Sequence, residues 1–260
     1  MKSELLKNKI ISWGKDLGFD GVGFTDIDLK EDETHLLNWL KNKFHGDMYY
    51  MEKHGTKRSR PEKLMPGTIK VISFRMNYLT ENTYDAKQVL ENNNLAYISR
   101  YALGKDYHTE MRDRLHEIAK KINSEVSDFK YRAFVDSAPV LEKAIGQKAG
   151  LGWIGKNTLL INKNSGSYFF LGEIYTNIDF EIDKKSKSYC GDCSECIKLC
   201  PTGAIISPHV LDAKKCIAYL TIELKETIPI EYRDSIGNRV FGCDDCQLVC
   251  PWNRFSTETR

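Results

Sequence analysis

Residues 149–158 read AGLGWIGKNT, and the fold turns on what that stretch is for. Gly150, Gly152 and Gly155 satisfy G-x-G-x-x-G, and Gly150 through Lys156 satisfy the G-x-x-x-x-G-K spacing of a phosphate loop. Either motif holds phosphate because its glycines leave a strand and open a helix whose first amides face the anion. Here the neighbours are reversed. A helix-patterned segment over 140–149 precedes the loop and the apolar run TLLIN (158–162) follows it as a strand. Asn157 also stands where a phosphate loop needs a Ser or Thr hydroxyl for magnesium. A doubly wound nucleotide fold is therefore disfavoured. The glycines are left to make a tight turn, or to admit some other ligand to the backbone.

Working outward, the 3.6-residue period predicts a helix over 2–17 with Leu5, Leu6, Ile10 and Trp13 on one face and Gly18 as its stop. FDGVGFTD (19–26) reads as a strand, and 31–44 as an amphipathic helix carrying Leu36, Leu37, Leu40 and Phe44. The basic, turn-rich KHGTKRSRPEKLMPG (53–67) leads into the β-branched strand TIKVISFRMNY (68–78). A long helix over 106–126 precedes the strand YRAFVD (131–136), and after the Gly-rich loop TLLIN and SYFFLGEIYTN (167–177) read as a strand pair. Helices mixed with hairpin-like strands, without strict alternation, indicate an α+β fold.

The chain of 260 residues, 41% hydrophobic, can bury one large core, or a medium core with a small companion. Charges run through its first 18 residues where a signal peptide would need an apolar centre, and no run approaches the roughly 18 apolar residues of a membrane helix. We therefore expect a cytoplasmic protein with no membrane partner. A net charge of +2 neither demands nor excludes nucleic acid, since binding can rest on a local basic patch.

All eight cysteines lie between Cys190 and Cys250, which divides the chain into a cysteine-free part, 1–180, and a cysteine module, 181–260. CGDCSECIKLCP places Cys190, Cys193, Cys196 and Cys200 with gaps of two, two and three before Pro201, the run of bacterial ferredoxins. In that run three cysteines wrap one 4Fe-4S cube and the fourth reaches a second cluster. CDDCQLVCP supplies Cys243, Cys246 and Cys250, and Cys216 supplies the remaining ligand. The spacing assigns Cys190, Cys193, Cys196 and Cys250 to cluster one and Cys216, Cys243, Cys246 and Cys200 to cluster two. Two four-cysteine zinc sites are the alternative, disfavoured by the doubled x3-C-P ending.

Two clusters form a wire, and the long cysteine-free part suggests an acceptor site at its end. The stretches KRSRPEKLMPG, ISRYALGKDYH, FVDSAPVLEKA, AGLGWIGKNTLL, GSYFFLGEIYTN, CGDCSECIKLCPTGAI, CIAYLTIELK and FGCDDCQLVCPWNRF together resemble the epoxyqueuosine reductases, cobalamin-dependent iron-sulfur enzymes of tRNA modification. The resemblance runs from about residue 46 to the end. It implies a nitroreductase-like core holding base-off cobalamin, with a ferredoxin-like two-cluster module packed against it. It further implies that Arg58, Ser99, Asp136, Lys156 and Asn157 line the corrinoid site and that Asp136 is the general acid. Local sequence alone would make Asp136 the cap of a helix beginning near Pro139, Arg58 a solvated loop charge and Ser99 a satisfied turn hydroxyl.

The implied reaction passes electrons from an external low-potential donor through the clusters to a cob(I) nucleophile that attacks the epoxide-bearing ring, while Asp136 protonates the departing oxygen. That role requires an Asp held protonated by burial. The implied substrate is a tRNA carrying epoxyqueuosine, bound by a monomer. A reductive dehalogenase would share both cofactors but calls for an export signal; a plain electron-transfer ferredoxin predicts no turnover, and a zinc-stabilised RNA-binding module predicts zinc. Family members usually continue past the last cluster, whereas this sequence stops at Arg260, as a short form or fragment would. Lys53, Lys57, Arg58 and Arg60 are candidate phosphate contacts, although a solvated loop is the commoner explanation of such a run.

Overall fold

The computed structural model describes residues 2–80, 84–256 and 258; the terminal Arg260 lies outside the described residues. Its centre is a four-stranded antiparallel sheet of β1 (Gly21–Asp26), β2 (Lys70–Asn77), β3 (Tyr131–Val135) and β4 (Phe169–Thr176), in the order β1-β2-β4-β3. The register stacks Phe24 on Ile72, Ile72 on Ile174 and Ile174 on Ala133, so one row of apolar side chains crosses all four strands. Strand alternation sends Ile72, Phe74 and Met76 to one face and Val71, Ser73 and Arg75 to the other.

On the first face lie helices α1 (Lys2–Asp16) and α3 (Tyr107–Glu125). α3 buries Met111, Leu115, Ile118, Ala119 and Ile122 along one stripe, as its period requires. α1 buries Leu6 and Ile10 but leaves Leu5 61% exposed, so the expected four-residue face is narrower by one. Gly18 ends α1 with φ +82°, a left-handed conformation that favours glycine. On the second face α4 (Glu142–Lys148) packs Ala144 and Ile145 against Val71, Phe134 and Tyr175.

α2 (Lys30–Lys41) departs from expectation. None of its residues is fully buried, and Leu37 is exposed. Its anchor is Trp39, whose indole donates to the Leu211 carbonyl at 2.7 Å and packs on the small cluster of Ala213, Ile217, Tyr219, Leu220 and Ile236. The helix serves as a strut between core and module.

TLLIN does not pair with SYFFLGEIYTN. Leu160–Ile161 pairs instead with Trp153–Ile154, so the Gly-rich stretch is itself a hairpin following α4. After β4 the chain stays on the core past residue 180. Asp183 brackets Phe24 by donating its amide to the Phe24 carbonyl and accepting the Phe24 amide on its carboxylate, each at 2.8 Å.

Candidate functional site

Cys190, Cys193, Cys196 and Cys250 surround one cavity of about 210 Å³, with Trp252 in its wall. They come from two loops 60 residues apart in number, each carried by a single helical turn, Glu195–Lys198 and Asp245–Leu248. Burial, and after it the sulfurs of Cys190, Cys250 and Cys193, push the Cys196 thiol up to about 11. Burial and then Cys216 and Cys200 raise Cys246 further. Ionising such crowded sulfurs requires positive charge among them. All eight are free of disulfides. Among the described residues no three His, Cys, Asp or Glu side chains converge as a single-ion site. Four sulfurs spread around a cavity suit a multi-atom cluster better than one zinc.

The Gly-rich hairpin locks onto this module. Lys156 Nζ donates to the Gly191 carbonyl at 2.7 Å and the Cys193 carbonyl at 2.8 Å, Asn157 Nδ2 to the Cys246 carbonyl at 3.2 Å, and Trp153 Nε1 to Cys190 Sγ at 3.4 Å. Gly150 has φ +76°, and a methyl group on Gly152 would sit 2.4 Å from the Ile161 carbonyl oxygen. Both glycines are therefore required by the hairpin itself. Ser99 is likewise engaged within the protein. It is buried, and its Oγ donates to Asp244 Oδ1 at 2.5 Å, beside the Tyr97 hydroxyl at 2.7 Å and the Arg100 amide at 2.8 Å on Oδ2. Asp244 lies between Cys243 and Cys246, so this buried carboxylate joins the core to the second sulfur set.

Asp136 lies elsewhere, where β3 ends. Its φ of +29° is left-handed, and the turn it makes precedes α4, which begins at Glu142 with no side-chain cap. Asp136 is thus not a helix cap. It lines a cavity of about 160 Å³ with Tyr107, Glu142, Lys143 and Phe170, and Tyr107 and Phe170 also line a neighbouring cavity of about 500 Å³ that reaches Tyr101 and Arg114. Tyr107 stacks on Phe170 with ring centroids 3.7 Å apart and on His108 at 4.0 Å. The Asp136 side chain is 54% exposed, so the protein alone does not bury it.

Sequence reasoning missed His108 and Glu142. Asp106 caps α3 by accepting the His108 amide at 3.0 Å and also meets His108 Nδ1 at 2.8 Å, which leaves Nε2 3.2 Å from Asp136 Oδ2. Burial alone would lower the His108 pKa, but Asp106 and Asp136 outweigh it and the pKa is raised. Burial, then the charge of Asp136, pushes Glu142 up to about 7. The only signal for either was position: His108 two residues after a helix-capping Asp, and Glu142 in the first turn after the Asp136 loop. Arg58 is buried, with Nη2 on the Tyr50 carbonyl at 3.2 Å and Nε without a partner. Burial lowers its pKa against the pull of Tyr50, Asp136 and Glu142.

A family model described as "Epoxyqueuosine reductase QueG, DUF1730" matches residues 58–137, and one described as "4Fe-4S double cluster binding domain" matches 189–253. The epoxyqueuosine reductase of Pseudomonas aeruginosa is 57% identical over 98% of this chain and 70% of its own, and that of Escherichia coli K12 is 51% identical over 98% and 67%. Among solved structures, an epoxyqueuosine reductase with an epoxyqueuosine-modified tRNA-Tyr stem loop superposes with a TM-score of 0.86 at 31% identity, covering 97% of this chain and 66% of that one. The Bacillus subtilis enzyme, solved with its catalytic aspartate loop swung out of the active site, gives a TM-score of 0.86 at 30% identity over 97% and 66%. A catabolic reductive dehalogenase at 15% identity and a TM-score of 0.58 shares the fold alone, over 94% of this chain and 31% of its own. The chain spans about two thirds of the length of these solved reductases. With over half its residues identical to a curated member across nearly its whole length, the chain belongs to the epoxyqueuosine reductase family.

Proposed function

We propose that this chain reduces epoxyqueuosine to queuosine at the wobble position of a tRNA anticodon, using base-off cobalamin and two 4Fe-4S clusters. The observation that carries this reading is a half-exposed, left-handed Asp136 at the mouth of an aromatic-walled cleft, in a core bonded side chain by side chain to an eight-thiol module. Taking an epoxide to an alkene requires two electrons and two protons and releases water. Two one-electron clusters match the electron count.

The cleft's own residues fit a large, flat, amide-rimmed cofactor. Arg58, whose buried Nε has no partner, feels the charges of Asp136 and Glu142 in the cleft, and the stack of Phe170, Tyr107 and His108 forms an aromatic wall. Cobalamin bound there would supply a strongly reducing cobalt centre, while the protein supplies position and protons. Arg58 would meet the polar rim. Ser99, Lys156 and Asn157 are spent on the module, so they would act on the corrinoid through the backbone they hold in place.

Asp136 protonates the departing oxygen, because hydroxide is a poor leaving group. Bound cofactor and base would complete the burial that the protein leaves open. His108 Nε2, 3.2 Å away, returns a proton to Asp136, and Asp106 fixes the imidazole through Nδ1. The chain acts as a cytoplasmic monomer served by an external low-potential one-electron donor.

The test compares queuosine yield from an epoxyqueuosine anticodon stem loop for wild type and Asp136→Asn at equal cobalamin occupancy. Turnover is expected to fall by about 10² to 10⁴, the loss of a general acid. Near-equal rates would remove Asp136 from the reaction, and full wild-type turnover without cobalamin would overturn the cofactor assignment.

A further inference from the structure

We propose that this chain's own side chains set its two clusters at different potentials: cluster one, of Cys190, Cys193, Cys196 and Cys250, higher, and cluster two, of Cys200, Cys216, Cys243 and Cys246, lower. The inference rests on the iron-sulfur reading above and adds an order of electron flow. Reduction places one more negative charge on a cluster that is already anionic through its thiolates. Donors and cations beside the sulfurs therefore raise its potential, and nearby carboxylates lower it.

Both sulfur sets receive N–H donors: Trp153 Nε1 on Cys190 Sγ at 3.4 Å and the Trp252 and Asn253 amides on Cys250 in the first, the Ala204 amide on Cys200 Sγ at 3.3 Å, the Ala218 and Tyr219 amides on Cys216 and the Asp245 amide on Cys243 in the second. Burial of charge separates them. The loop of Cys190 and Cys193 carries the Lys156 ammonium on two of its carbonyls, its own carboxylates are the exposed Asp192 and the half-exposed Glu195, which Lys198 holds at 3.3 Å, and Cys193 is exposed to water. The loop of Cys243 and Cys246 carries two carboxylates. Asp245 Oδ2 lies 2.9 Å from Cys243 Sγ, and its charge is offset by Arg239, which donates to both oxygens at 2.7 and 2.6 Å. Asp244 is 1% exposed, and the three donors to it, the Tyr97 and Ser99 hydroxyls and the Arg100 amide, are all neutral. Its charge is thus hydrogen-bonded but not cancelled, and low dielectric carries its field to the neighbouring sulfurs.

The geometry also gives the order a direction. Exposed Cys193 offers an entry for electrons to cluster one. Asp244 ties cluster two to the segment 97–100, and the next residue, Tyr101, lines the larger cavity of the cleft. Cluster two is then the stronger reductant and faces the acceptor. Each cluster passes one electron at a time, supplied by the external donor, and no proton is transferred within the module.

The test is an anaerobic redox titration followed by electron paramagnetic resonance on the full chain carrying about eight irons. Wild type should show two separate one-electron steps. Lys156→Gln and Trp153→Phe should each lower only the higher step, and Asp245→Asn should raise only the lower. A tenfold change in the reduction equilibrium corresponds to 59 mV for one electron, and shifts of that size are expected. Coincident steps in wild type, or a Lys156→Gln shift in the lower step, would overturn the proposal. If Asp245→Asn does not fold because Arg239 is left unpaired, the solvent-facing Lys156→Gln decides alone. Wild-type protein holding no iron under these conditions would sink the iron-sulfur reading itself, an outcome distinct from unshifted potentials.

Discussion

In the sheet, Phe24, Ile72, Phe74 and Ile174 are wholly buried and meet equally buried Leu115, Ile118 and Ile122 from α3. From Cys190 to Cys250 the buried apolar side chains are Ala204, Ile205, Ala213, Ile217, Tyr219, Leu220 and Ile236, and the last five form a cluster that leans on Trp39 and Met48. The first region carries its own hydrophobic driving force. The second is mostly short turns around thiols, too small a core to stand alone. The order of the module is thus linked to what the cysteines bind, while the sheet's is not.

Removing iron is the strongest way to break this contrast. Anaerobic chelation should leave β2 and β4 amides protected from hydrogen exchange, while protection over 190–203 and 243–252 falls by about a thousandfold or more, roughly 4 kcal/mol of local stability. Hydrogen exchange read by mass spectrometry checks it. Equal loss in the sheet would show that core and module fold as one unit.

The same contrast governs what could be read from sequence. The α3 stripe and the sheet strands were legible because periodicity follows burial, and a large core imposes burial on nearly every residue. The double-cluster module was legible for a different reason, since ligand spacing is local chemistry. The seam between the regions was illegible. Leu36, Leu37 and Leu40 have helical spacing, yet α2 turns out to be held by Trp39, whose partner lies 172 residues away. Asp136 looked like a cap because a helix follows, but the chain takes a left-handed turn and five further residues before α4 begins. Lys156, Asn157 and Ser99 sit in segments of strong family resemblance, but their partners Gly191, Cys246 and Asp244 are distant in sequence. No local pattern specifies such pairs. His108 escaped because its meaning depends on Asp136, 28 residues on.

A substitution at the hairpin sharpens the comparison from the seam side. Gly152→Ala would drive a methyl group to 2.4 Å from the Ile161 carbonyl, a backbone atom that cannot swing aside. We expect a loss of about 1–3 kcal/mol, the cost of overpacking, in denaturant unfolding of the iron-loaded protein. Because Lys156 and Asn157 follow in the same hairpin, the cluster signals should broaden as well. An unchanged unfolding midpoint would mean that the hairpin is not under packing constraint.

The smallest expected effect lies at the edge of the core. Glu33, on α2, accepts from Arg60 Nε at 2.9 Å, Arg60 Nη2 at 2.8 Å and Ser59 Oγ at 2.5 Å, and those hydrogen bonds, Arg60 first, hold its carboxyl at about 2 against an ordinary 4.5. A depressed carboxylate stabilises the folded chain above its unfolded pKa, and the contribution is lost as pH falls through the folded value. Glu33→Gln should therefore matter at pH 7 and cease to matter near pH 2. Solvent screens the pair, so the drop in Tm at pH 7 should not exceed about 3 °C. Melting curves of both proteins between pH 2 and 7 should converge at the acid end. A difference that instead grew toward low pH would mean that Glu33 is protonated in the native state, and that α2 is held to the basic loop by something other than this ion pair.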